Sequence, residues 1–237
     1  MLSYLCFFAV IFGAKSAIAP FITPCKSGDS PCILASAQAA VPVMAPGIPA
    51  LGIPSLDPMR LDEVKGNQGG LQLTFRDTTV TGMKGCHVEA VKHDVSKSKQ
   101  LVTIRCSVEL RGNYKLAGQL LIFPIQGEGK YHININDIVI KAVPDVMIVD
   151  GADGKKHWHI SNWKHTYQVK TSAGFHFDNL FNGNKLLSQP VSEFVNSNWR
   201  EVMSEVAPPI VKAIVTRVVE AVEALYKAVP ADELYIE

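Results

Sequence analysis

The stretch PIVKAIVTRVVEAVEALYK, residues 209–227, decides the fold. At about 100° per residue, Lys212, Thr216, Glu220, Glu223 and Lys227 share an arc of roughly 80° on a helix. Ile210, Val211, Ile214, Val215, Val218, Val219, Val222, Leu225 and Tyr226 spread over much of the remaining circumference. An ordinary surface helix buries one broad stripe, so this one requires cover on several sides. Charges interrupt the run well short of the ~18 uninterrupted apolar positions that a bilayer span takes. No stable membrane span is therefore expected, and the cover must be protein.

The middle of the chain supplies that cover. Leu71, Leu73 and Phe75 alternate with Gln72, Thr74 and Arg76, and Val102, Ile104, Cys106, Val108 and Leu110 alternate with polar neighbours. Tyr131, Ile133 and Ile135 do the same. A period of two marks strands with one dry and one wet face. Residues 116–125, 138–149, 157–169 and 174–177 continue the series, with turns expected at GEG (127–129) and DGADG (150–154). Strands this long must twist and coil.

One curved apolar sheet face and one helix in need of cover predict an α+β fold, in which a highly curved antiparallel β-sheet wraps the long C-terminal α-helix. Helix and trough differ in curvature, so a hydrophobic tunnel between them is expected. Its candidate lining is Phe75, Phe123, Tyr131, Val139, Trp158, Phe175 and Phe177 from the sheet, with Val211, Ile214, Val215 and Val218 from the helix. Tyr131 and Tyr167 offer polar handles, although a buried tyrosine hydroxyl commonly satisfies a backbone carbonyl. An apolar ligand burying roughly 300 to 400 Å² there gains about 8 to 10 kcal/mol before association costs. Pro208-Pro209 predicts a break between the final helix and a preceding helical run over 190–206.

At the other end, LCFFAVIF (5–12) followed by Ala17-Ile18-Ala19 reads as a secretory signal peptide over residues 1–19. Residues 20–237 then form a single hydrophobic-ligand-binding domain. Cleavage removes Cys6 and leaves Cys25, Cys32, Cys86 and Cys106, an even number bound for an oxidising compartment. Cys25 and Cys32 bracket a reversal containing Gly28 and Pro31, and folding 88–94 onto 100–108 brings Cys86 near Cys106. The expected bridges are Cys25–Cys32 and Cys86–Cys106; the alternative for the second pair is two buried free thiols.

Lys plus Arg number 23 and Asp plus Glu 22, a balance with no electrostatic pull toward nucleic acid. The chain contains no G-x-S-x-G, H-E-x-x-H or phosphate-binding loop motif, and no cofactor or metal is expected. His157 and His159 share a strand face opposite Trp158, which is read as a solvated face rather than a metal site. An enzyme is not expected.

Four segments in order also carry a resemblance: PCKSGDSPC (24–32), GIPALGIPSLDP (47–58), LRGNYKLAG (110–118), and FDNLFNGNKLL (177–187) with Asn198-Trp199 downstream. Together they resemble the takeout and juvenile hormone binding protein family of insects, from about residue 24 to the C-terminal helix. The last of the four is takeout-like, and no cysteine after Cys106 supplies the second bridge of the classical haemolymph carriers. The resemblance implies a monomeric, extracellular carrier for a terpenoid such as juvenile hormone, a fatty acid or a similar lipid, with delivery to a receptor left open. Lipid transfer or membrane interaction on the same scaffold is the alternative.

Overall fold

The computed structural model describes residues 18–94 and 97–236. The hydrophobic core of the expected signal peptide lies outside the described residues, as do two residues of the expected 95–99 loop. The elements run β1 (Cys25–Lys26), α1 (Ser30–Met44), β2 (Met59–Gln68), β3 (Leu71–Thr81), β4 (His87–Asp94), β5 (Lys99–Leu120), β6 (Phe123–Asp150) and β7 (Lys156–Phe177). They continue through α2 (Lys185–Ser197), α3 (Trp199–Ala228), α4 (Ala231–Leu234) and β8 (Tyr235–Ile236).

A six-stranded antiparallel sheet in the order β2-β3-β5-β6-β7 carries β4 beside the first half of β5. β5 thus divides one edge between β4 and β3, which pair with its successive halves. Strand β6 is 28 residues long and, if straight, would reach about 90 Å at roughly 3.3 Å per residue. It coils instead, helped by bulges where the register shifts between Asn136 and Ile138 and between Asp145 and Val146. β2 and β7, the two ends of the β2-β3-β5-β6-β7 order, both pack on α3. One helix touching both ends of that order means that the sheet has curled around it as a half-barrel.

Several local expectations give way to the structure. Residues 127–129 do not turn; they lie inside β6. A Cβ on Gly127 would stand 2.7 Å from the Tyr114 hydroxyl, and one on Gly129 would stand 2.6 Å from the Asp178 carbonyl oxygen. These glycines permit close approach rather than reversal. The reversal falls at Leu121-Ile122, with Leu121 at φ 55°, so residues 116–125 are the two sides of a hairpin.

Pro208 and Pro209 do not break the helix: α3 runs through both, and the interruption comes at Asn198, between α2 and α3. Two prolines remove two backbone donors, but the carbonyls they would have met belong to exposed Ser204 and half-buried Glu205, where water can serve. The ring of Pro209 fits because β2 places Gly66 against it; a Cβ there would lie 2.8 Å from Pro209 Cγ.

Helix α1 was not evident from the sequence. Asp29 caps it, its carboxylate accepting from the Cys32 backbone N–H at 3.1 Å, with proline in the first turn. Gln38 then fastens it to β4, accepting from the Val88 N–H at 2.7 Å and donating to the Cys86 carbonyl at 3.3 Å. Both expected disulfides are formed, with Cα separations of 5.8 Å for Cys25–Cys32 and 4.4 Å for Cys86–Cys106. Among the described residues no helix is long and apolar enough to cross a membrane.

Candidate ligand cavity

Along α3 the core changes character. The first half of the helix buries Val202, Met203, Val206, Ile210, Val211, Ile214 and Val215. Nearby strands contribute Phe75, 1% exposed, and Tyr114, 2% exposed. Phe75 meets Tyr131 at a centroid distance of 4.7 Å, Tyr114 meets Phe177 at 4.9 Å, and Phe177 lies 6.4 Å from Phe175. The hydroxyls in this cluster are satisfied: Tyr131 pairs with Thr78 Oγ1 at 2.7 Å, and Tyr114 donates to the Asp178 carbonyl at 2.6 Å. Burial pushes the pKa of each up to about 12, so both stay neutral hydrogen-bonding groups.

In the second half of α3, Val218, Val219 and Val222 are only half-buried although they point inward. They face a cavity of about 320 Å³. Across from them stand Ile33, Ala37, Ala40, Val41 and Met44 of α1. The sheet adds Val88, Val91, Val102, Ile104, Ala142, Pro144, Trp158 and Ile160. The end is closed by β1 and β8, which pair in parallel with Cys25 opposite Tyr235. The Cys25–Cys32 bridge holds that closure to α1.

One corner of this apolar wall is polar. His93 and Gln100 are direct cross-strand partners on β4 and β5. The Tyr226 hydroxyl of α3 donates to Gln100 Oε1 at 3.0 Å. Trp158 stacks on His93, with centroids 5.1 Å apart and planes 8° from parallel, and meets Tyr226 edge-on at 5.2 Å. His93 Nδ1 is buried and has no hydrogen-bond partner among the described residues. Burial holds the His93 pKa below the usual imidazole value, against the opposing pull of Asp94, and so favours the neutral ring.

Of the lining residues expected from sequence, the structure places Trp158 and Val218 on this wall. Phe75, Tyr131, Phe175 and Phe177 belong to the aromatic cluster instead, and Val211, Ile214 and Val215 to the buried first half of the helix. Phe123 packs against Phe194 of α2 at 4.5 Å. Val139 lies outside the main core cluster, because the bulge before Ile138 reverses the alternation and turns Ile138 and Ile140 inward. The Tyr167 hydroxyl donates to the Met203 carbonyl at 3.4 Å.

His157 is withdrawn from solvent, since β7 crosses the last turns of α3 here, whereas His159 keeps a side chain that is 43% exposed, as a solvated face requires. His157 is 5% exposed and bonds the Tyr226 carbonyl at 3.0 Å and Asp153 at 3.1 Å; His159 meets Glu223 at 2.6 Å. Glu223, expected on the wet stripe of the helix, also accepts from the Ile160 N–H at 2.8 Å. A larger depression, about 440 Å³, opens on the outer sheet face among Arg111, Lys130, His132 and Asp178. Charged and hydrogen-bonding side chains make up most of its lining and no residue of α3 takes part in it, so it does not compete as an apolar site.

The sequence matches the family described as haemolymph juvenile hormone binding protein over residues 2–236. The chain belongs to that family. It is 29% identical to the circadian clock-controlled protein daywake of Drosophila melanogaster, over 89% of this chain and 85% of that protein. A putative beta-carotene-binding protein of Schistocerca gregaria is 20% identical, over 86% of this chain and 82% of its own length. The crystal structure of Epiphyas postvittana Takeout 1 superposes with a TM-score of 0.88 at 30% identity, covering 91% of this chain and all of that one. The helix in its curled sheet is therefore the architecture of a solved takeout protein.

Proposed function

We propose that this chain is a secreted carrier that takes a small hydrophobic molecule into the cavity between α1, the second half of α3 and the wide end of the sheet. The observation that carries this reading is the hollow: α3 leaves Val218, Val219 and Val222 half-covered in a protein that packs the rest of the same helix tightly. Family membership, and a relative named as a putative beta-carotene-binding protein, support a binding role. The two bridged cysteine pairs suit an oxidising compartment.

An engineered apolar hollow of about 150 Å³ takes up benzene. By proportion, the roughly 320 Å³ here suits about a dozen to fifteen non-hydrogen atoms, the size of a medium-chain acyl compound or a sesquiterpenoid. A carotenoid is far larger than that. Trp158 and Val218 are ligand contacts on this reading, joined by Val219, Val222 and Ile160. The aromatic cluster around Phe75 keeps the half-barrel closed on the helix.

Native mass spectrometry of the secreted protein, with extraction of whatever co-purifies, tests the proposal. A stoichiometric small lipid, or uptake of one on titration, is the expected result. An apo mass together with no uptake of medium-chain lipids or terpenoids would defeat the carrier reading.

A second reading, lipid transfer at a membrane surface, draws on Met147, Ile148 and Val149, which are 44%, 55% and 36% exposed. Ile148 is paired with Trp158 of the cavity wall, so this apolar edge adjoins the hollow. Co-sedimentation with phosphatidylcholine vesicles that is lost in Ile148→Asp supports transfer; no co-sedimentation of the wild type removes it.

A further inference from the structure

The cavity asks for something its apolar wall does not. Buried polar groups in proteins are almost always hydrogen-bonded, and an unpaired one costs free energy unless a ligand or water completes it. His93 Nδ1 is such a group, held at the cavity wall by the ring of Trp158 behind it. Its cross-strand neighbour Gln100 is occupied through Oε1 by the Tyr226 hydroxyl, whose oxygen still has lone pairs to offer. We propose that the ligand of this cavity carries a hydroxyl head group, which docks at His93 Nδ1 in the corner formed with Gln100 and Tyr226, while its hydrocarbon body lies along Val218, Val219 and Val222. The inference rests on the carrier reading and narrows it to one chemical class, amphiphilic alcohols.

The choice of a hydroxyl follows from what surrounds His93. An alcohol oxygen both donates and accepts, so it satisfies Nδ1 in either imidazole tautomer, whereas a carbonyl satisfies only the protonated nitrogen. A carboxylate would need a cation. Among the described residues Lys26 is the only fully charged one on the wall, and it is exposed at the end closed by β1. An imidazole kept neutral by burial supplies no positive charge either. A pure hydrocarbon would fill the hollow and leave Nδ1 unpaired.

The test uses 1-dodecanol, dodecane and dodecanoate as competitors of a fluorescent reporter, N-phenyl-1-naphthylamine, on the full secreted protein at neutral pH. For the wild type, dodecanol is expected to bind about five- to tenfold more tightly than dodecane, the value of one net hydrogen bond. In His93→Phe, which keeps a ring to stack on Trp158, dodecane should bind as before and the preference for the alcohol should vanish. An unchanged preference in that variant, no preference in the wild type, or tighter binding of dodecanoate than of dodecanol each overturns the proposal. Binding of dodecane by the wild type shows that the carrier reading stands even then; no displacement by any competitor sinks both. A second measurement needs no variant. With ¹⁵N-labelled histidine, the Nδ1 resonance of His93 should move on adding dodecanol and stay put with dodecane, and the same shift with both would again overturn the assignment.

Discussion

The two halves of α3 lie in one curled sheet, and the sheet treats them differently. Around the first half, Phe75, Tyr114, Tyr131 and Phe177 interlock and the hydroxyls find partners within the cluster. Around the second half many of the facing residues are small or β-branched, Ala37, Ala40, Ala142 and Val102 among them, and about 320 Å³ stays open. A hollow of that size forfeits on the order of several kcal/mol relative to a filled core. The solid end has to supply the stability that the hollow end gives up. Ligand uptake should then raise the apparent stability of the protein in proportion to its occupancy.

The sharpest way to break the contrast is to cut a side chain from each half. Phe75→Ala, at 1% exposure, is expected to cost about 3 to 5 kcal/mol in chemical denaturation. Ile160→Ala on the half-buried cavity wall should cost less than half as much, because its side chain already borders a void. Equal losses would mean that the hollow is collapsed in solution. Removing the Cys86–Cys106 bridge, which spans 20 residues, should cost about 3 kcal/mol through loop entropy. The Cys25–Cys32 bridge closes only 7 and should cost about 2 kcal/mol by the same scaling.

Hydroxyl deletions refine the comparison on a smaller scale. Tyr131→Phe strands the Thr78 hydroxyl, whose residue is 1% exposed, and should cost about 1 to 3 kcal/mol. Tyr226→Phe frees Gln100 toward an open cavity that water can enter, and its cost should stay below about 1 kcal/mol. Filling the void is gentler still. Val222→Phe should change stability by under about 1 kcal/mol and abolish the ligand-dependent rise in melting temperature. Val80→Phe in the packed core, at 0% exposure, should lose about 1 to 3 kcal/mol to overpacking. A Val222→Phe protein that still responds to ligand would move the site elsewhere.

This contrast was only half visible in the sequence. The apolar circumference of residues 209–227 and the period of two between 71 and 177 are global patterns, and they forced a sheet wrapped around a helix. The cysteine pairs followed from local reversals. What escaped depended on single close approaches. Gly127 and Gly129 look like a turn until Tyr114 and Asp178 are seen crossing them, and Pro209 looks like a breaker until Gly66 makes room for its ring. One bulge before Ile138 was enough to put Val139 on the wrong side of the strand. Helix α1 lacks any sustained polar stripe, so its period was invisible, although Asp29 with Ser30-Pro31 is a recognisable start. The hollow itself had no sequence signal: a valine reads the same against a neighbour and against a void. His93 gave no signal either: it sits between Lys92 and Asp94 and reads as one more wet position of the strand, because a one-residue change of register decides which face it joins.

The smallest expected effect lies in the pH dependence of the hollow end, where two histidines act in opposite senses. Burial lowers the His93 pKa, with Asp94 opposing it, so the unfolded chain holds that proton more tightly than the folded one. His93 therefore removes stability as pH falls through the ordinary histidine range, about 6.5. For His157, burial also pulls downward, but the bonds to the Tyr226 carbonyl and to Asp153 outweigh it and the pKa is raised. Its stabilising contribution is thus complete below the unfolded value and is lost as pH rises through the folded one. The two contributions to wild-type stability therefore oppose each other between about pH 5 and 8. In His157→Gln, denaturation midpoints should fall more steeply on acidification than in the wild type, because the compensating proton is gone. In His93→Phe the slope should tilt the other way, toward greater stability in acid. The aromatic cluster of the solid end contributes nothing over this range, since Tyr114 and Tyr131 are held near 12. Superimposable pH profiles for all three proteins would show that neither proton is linked to folding, and that the polar corner of the cavity is wetter in solution than its burial indicates.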